Sequence, residues 1–127
     1  MGTVRIYLNQ SLRKALRIKI GRAFNEGTGL KVASAVHSAI VNARGRDLHN
    51  SEIRPGVTLA SDLFAEDADG LAIAESLESA LGISFPRDRG AVALRVLYRG
   101  PAAGDYTERT VLELAVEAYR LASGENR

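Results

Sequence analysis

Apolar residues recur at helical spacing almost throughout this chain, and that periodicity most narrows the folds open to it. Leu8, Leu12, Leu16, Ile20 and Phe24 repeat at every fourth position, with Arg13, Lys14, Arg17 and Arg22 mostly on the flanks. Side chains four apart share one face of an α-helix, so the pattern predicts an amphipathic helix over about residues 3 to 25. Only Val4-Arg5-Ile6-Tyr7-Leu8 alternates as a strand would. It has no obvious partner strand, and a lone strand cannot satisfy its own backbone groups.

Glycines and turn residues divide the rest. Gly27-Thr28-Gly29 is expected to end the first helix. A second should run over about 31–44, with Val32, Ala35, Val36, Ala39, Ile40 and Ala43 on its apolar face. The alanines there allow a neighbouring helix to approach closely. His37 projects toward the side shared by Ala33, Ile40 and Arg44, so it borders the core without lying squarely in it. After Gly45 the stretch 46–57, RDLHNSEIRPGV, is the longest polar connection. A short helix over about 58–64 would anchor Leu59, Leu63 and Phe64, and Asp67 or Asp69 would cap the next one.

That next helix is predicted over about 68–81. Leu71, Ala74, Leu77 and Leu81 lie on one side, Glu75 and Glu78 on the solvated other side, and Gly82 follows as the break. Pro86 suits the first turn of another helix reaching about residue 98. Asp105 with Glu108 has the spacing of a capping box, which places the last helix at about 105–123. Its broad apolar face holds Val111, Leu112, Leu114, Ala115, Ala118 and Tyr119, and Gly124 ends it. The expected fold is all-α, a compact bundle of about five helices in one domain, with no repeat or linker dividing it.

Composition excludes several classes of function. A chain of 127 residues without cysteine has no disulfide framework, thiol catalysis or thiolate metal site, which fits a reducing cytoplasm. No apolar run approaches the roughly 18 residues of a membrane span. The amino terminus lacks the continuous apolar region of a secretory signal, so a cytoplasmic location is expected. Charge is unevenly spread: ten basic and three acidic side chains precede Pro55, and seven basic and twelve acidic ones follow from it, giving +7 and −5. One reading is a nucleic-acid footprint on Arg13, Lys14, Arg17 and Arg22. The preferred one is that oppositely charged halves face each other within a monomer or across a dimer, because no base-stacking aromatic ladder accompanies the basic residues.

The catalytic inventory is thin. No nucleophile, base and oxyanion donor can be assembled from the spacings, and neither a phosphate-binding glycine loop nor a dinucleotide fingerprint is present. His37 and His49 are the only histidines, and no Glu-x-x-His or His-Glu-x-x-His pattern adds ligands to them, so neither metal nor cofactor is expected. Asp67 and Asp69 fit stabilisation of a helix dipole better than a cation site.

The order of these elements resembles a known family. Phe24-Asn25-Glu26-Gly27-Thr28-Gly29-Leu30, then Ala35-Val36-His37-Ser38-Ala39-Ile40 and Arg44, resemble the first half of a PTS regulation domain. The helix from Asp67 to Leu81 and the turn Leu81-Gly82-Ile83-Ser84-Phe85-Pro86-Arg87-Asp88 resemble its second half, so the likeness covers about residues 16 to 98. The resemblance implies an all-helical, often dimeric regulatory domain of bacterial antiterminators and transcriptional activators, phosphorylated on histidine by phosphotransferase-system carrier proteins. His37 matches the family's first histidine, and the resemblance makes Arg44 and Arg46 candidate phosphate contacts. Where the family carries a second histidine, this chain offers Arg89, Gly90 and then Arg95-Val96-Leu97.

Overall fold

Leu12 and Leu16, four residues apart, are both fully buried on the first helix, α1 (Gln10–Ile20). Burying side chains of this size contributes about 1.5–3 kcal/mol each, which holds a short helix rich in charge against the rest. The computed structural model describes residues 10–44, 53–62, 67–85, 96–97 and 108–124. The described part is all-α: α1 is followed by α2 (Glu26–Arg44), α3 (Asp67–Leu81) and α4 (Val111–Ala122). β character among these residues is confined to isolated bridge positions, Thr58 paired with Thr110 and Glu108. The expected Pro86 helix lies outside the described residues except for Val96 and Leu97, which are helical and buried.

α2 is the centre of the bundle. It packs against α1, α3 and α4, and α1 also meets α4. Its Val32, Val36 and Ile40 are fully buried, facing a core completed by Ile73 and Leu77 of α3 and by Leu114 and Ala118 of α4. On α3 the buried face is Ile73, Ala74 and Leu77, whereas Leu71, expected in the core, is 46% exposed. One residue is 100° of helix, so choosing Ile73 as the inward residue turns Leu71 away.

The glycine break falls elsewhere than the sequence suggests. Gly21 takes φ +78° and ends α1, and a single 3₁₀ turn, Gly21–Ala23, leads to an extended Phe24. Gly27-Thr28-Gly29 then lies inside the first turns of α2. Asn25 starts that helix: its Oδ1 accepts from the Thr28 N–H at 2.9 Å and its carbonyl from the Gly29 N–H at 2.7 Å, a side-chain N-cap. Gly29 is needed for close approach, because a Cβ on it would overlap the Phe24 ring.

A strap ties the α4 entry to the middle of the chain. The Leu59 N–H donates to the Arg109 carbonyl (3.1 Å), the Val111 N–H to the Val57 carbonyl (2.9 Å), and the Arg109 N–H to the Leu97 carbonyl (2.8 Å). Residues 108–110 are therefore extended, and α4 starts at Val111 rather than near Asp105. Its capping box is Thr110 with Glu113: the Glu113 N–H donates to Thr110 Oγ1 and the Thr110 N–H to Glu113 Oε1. Residues 59–62 form a hydrogen-bonded turn rather than the expected helix. Thr58 and Asp62 close it by exchanging side-chain bonds of 2.8 and 3.1 Å, and Leu63 and Phe64 lie outside the described residues. Gly82 (φ +67°) and Gly124 (φ +81°) end α3 and α4 as expected.

Candidate functional site

His37 occupies the middle of α2 and is buried, 3% exposed, with Ala33 and Ile40 buried on either side of it along the helix. It lies deeper than a border position, and it is not without a polar partner. Arg44 closes α2 about seven residues on, roughly 10 Å along the axis, but its side chain lies outside the described residues, as do Arg46 and His49. The structure therefore describes one of the three residues of the expected phosphate site, and that one is enclosed.

The junction between α1 and α2 is built against Tyr119 of α4. The Phe24 and Tyr119 rings stack at 5.7 Å with an interplanar angle of 12°. The Tyr119 hydroxyl accepts from the Asn25 N–H at 2.7 Å and donates to the Ala23 carbonyl at 3.2 Å. A buried tyrosine hydroxyl needs partners, and here it takes them from backbone groups that the helix break leaves open. Sequence reasoning placed Tyr119 on an apolar face and missed this role. The available signal was a tyrosine at a core position of the last helix.

Three ion pairs among the described residues each join partners in the same half of the chain. Arg13 and Arg17 both reach Glu26, at 2.8 and 3.4 Å, and Arg109 pairs with Glu117 at 2.8 Å with side chains only 11% and 18% exposed. The first two are solvent-facing and contribute about 0–1 kcal/mol. The third is mostly enclosed and is also bound by Arg109 Nη1 donating to the Glu113 carbonyl. Arg109, Glu113 and Glu117 follow at intervals of four, a spacing legible in the sequence.

Two of the four cations expected to form a nucleic-acid footprint, Arg13 and Arg17, are thus drawn to Glu26. Lys14, Lys19 and Arg22 remain exposed along α1 and its 3₁₀ turn, and Ile18 stands among them 80% exposed. α1 and α3 each pack on α2 and scarcely touch each other, so α3 does not cover this basic flank; of the second half, α4 is the helix that packs on α1. On the α3 side lies a groove of about 740 Å³ between α2 and α3. Small side chains such as Ala35, Ser38, Ser76 and Ala80 line it, with Lys31 and the exposed Glu75 on its walls. Glu78 is not simply solvated, since its Oε2 accepts from the Phe85 N–H at 2.9 Å and holds the turn after α3.

Glu108 is the titratable group with a resolved perturbation. Its carboxyl is held below the usual range, first by the Ser61 hydroxyl, which donates to Oε2 at 2.6 Å, then by a hydrogen bond from Thr58, and also by the Ser61 N–H at 2.9 Å on Oε1. These bonds favour the ionised form and fasten the strap to the α4 entry. They do not form a reactive centre. Among the described residues no cluster of three or more His, Cys, Asp or Glu side chains is placed to hold a metal ion, and no described helix is long and apolar enough to cross a membrane.

Comparison with protein-family models, with curated proteins and with solved structures returned no match.

Proposed function

We propose that this chain is a non-enzymatic helical association module, and that its partner is a second copy of itself. The observation that carries the reading is the uncovered α1 flank, where Ile18 protrudes between Lys14 and Arg22. An exposed isoleucine between cations that form no ion pair among the described residues offers a contact to a groove of small side chains that holds a carboxylate. The α2–α3 groove offers small side chains and one exposed carboxylate, Glu75, with Lys31 on the same walls. In a two-fold dimer α1 of each copy enters the groove of the other, so the contact is made twice and closes.

His37 serves packing in this reading. Phosphorylation by phosphotransferase carrier proteins, the expectation drawn from the family resemblance, needs an accessible ring nitrogen, and α2 would first have to turn His37 out of the core. Its burial counts against a switch at His37 and fits the alternative sequence reading, a helical dimerisation or scaffold domain in which His37 is only packing.

The test is sedimentation equilibrium across salt concentration. Wild type should dimerise, more weakly as salt rises, and Ile18→Asp should be monomeric. Lys14→Glu/Arg22→Glu and Glu75→Lys/Ser79→Lys should each dimerise poorly alone and form a heterodimer when mixed, because the reversed charges again face opposites. A monomeric wild type at high concentration overturns the proposal. So does an acid-labile mass gain on His37 after incubation with phosphoenolpyruvate and the general phosphotransferase proteins, because the packing role would then be wrong.

A further inference from the structure

A second groove, of about 730 Å³, runs along α4 between the carboxyl end of α1 and the turn at Pro55-Gly56. Its size falls in the range of small-molecule sites, roughly 300–1,000 Å³, and its walls divide by chemistry. Leu112, Val116 and Pro55 make an apolar side. Both acids in it are already engaged: Glu117 with Arg109 and Glu113 with the Thr110 N–H of the capping box. Its two exposed cations, Lys19 from α1 and Arg120 from α4, form no ion pair among the described residues. The Nε–H of Arg109, in the groove wall, is buried without an acceptor.

An apolar wall beside three cations and two acids, a net charge of +1, with a donor that has no acceptor among the described residues, matches one ligand chemistry. We propose that this groove binds a small amphipathic carboxylate, its hydrocarbon tail along Leu112 and Val116 and its head group between Lys19 and Arg120. Neither part suffices alone. A free carboxylate without a tail would exchange water for exposed cations at little gain, and a tail with a cationic head would set like charges together. Apart from Lys19, which adjoins Ile18 on α1, the lining of this groove lies outside the proposed dimer contact, so binding should persist in the Ile18→Asp monomer.

The experiment is titration of ¹⁵N-labelled protein with decanoate below its micelle concentration, followed by two-dimensional NMR. Decyltrimethylammonium supplies the same tail with opposite charge, and acetate the same head without the tail. Decanoate should saturate, with shifts centred on Leu112, Val116 and Arg120, and acetate should not. Decyltrimethylammonium should bind at least about tenfold more weakly, and Lys19→Gln/Arg120→Gln, whose altered side chains are exposed, should lose about tenfold in decanoate affinity. A bulky Val116→Phe variant, checked for folding by circular dichroism, should block the tail. Equal binding of both amphiphiles, an unaffected double variant, or shifts centred outside the groove would each overturn the proposal.

Discussion

Replacing Gly29 by alanine sets two known effects against each other. Within a helix alanine is favoured over glycine by up to about 1 kcal/mol, so the substitution would stabilise α2 if nothing stood over it. The Phe24 ring does stand over it, and a Cβ at Gly29 would overlap that ring at Cζ and Cε1. The ring cannot swing away freely, because it is stacked on Tyr119 at 5.7 Å and the next residue is held by the Tyr119 hydroxyl. Overpacking costs about 1–3 kcal/mol, and giving up the stack instead costs about 0.5–1.5 kcal/mol plus the ring's partial burial. The clash therefore outweighs propensity, and Gly29→Ala should destabilise by about 1–2 kcal/mol. With Phe24→Ala already present the ring is gone, and the same change should stabilise by up to about 1 kcal/mol. Urea unfolding of the four proteins, followed by far-ultraviolet circular dichroism, measures the coupling, and the wild-type midpoint should fall by about 0.5–1 M in Gly29→Ala. A neutral or stabilising Gly29→Ala in the wild-type background, or a coupling under about 0.5 kcal/mol, would refute the close approach.

Three further outcomes are expected. Tyr119→Phe keeps the ring stack but strands the Asn25 N–H and the Ala23 carbonyl, so it should cost about 1–3 kcal/mol and speed amide exchange at Asn25; unchanged exchange there would count against the clasp. Thr110→Ala should lose about 1 kcal/mol by removing the α4 cap, and unchanged urea stability would count against Thr110 as the residue that starts the helix. Because Glu108 is depressed below 4.5, its stabilising contribution is present above that pH and is lost as pH falls through the folded value. The stability gap between wild type and Glu108→Gln, measured by urea at about pH 7 and about pH 3, should therefore shrink on acidification, and a pH-independent gap would exclude the Ser61 contact as its source.

Much of the helical content was legible because burial imposes a period that few other structures share. Leu12, Leu16 and Ile20 lie on the core side as their spacing requires, Phe24 reaches the core from an extended residue beyond the helix, Leu8 lies outside the described residues, and α3 begins within a residue of its expected position. The glycines were legible as breaks only where they carry positive φ, at Gly82 and Gly124. Gly29 is a glycine for another reason, the ring above it, and local pattern does not separate a glycine that ends a helix from one that makes room. The same ambiguity affected the last helix, where Asp105-x-x-Glu108 and Thr110-x-x-Glu113 have equivalent spacing. The candidate site was legible as a histidine on α2, but its depth was not, because one helix face does not reveal how many helices close over it.

The sequence by itself determined the helical class, the core faces of α1 and α2 and the separation of charge, since each follows from spacing along one chain, whereas the inward face of α3 was settled by packing. Tertiary structure alone decided where α2 and α4 begin, that Tyr119 pins the first junction, and that His37 is enclosed. Those features rest on contacts between residues far apart in the chain, such as Asn25 with Tyr119 and Leu59 with Arg109. Such contacts form where packing brings two segments together, and neither segment carries the other's position in its own sequence.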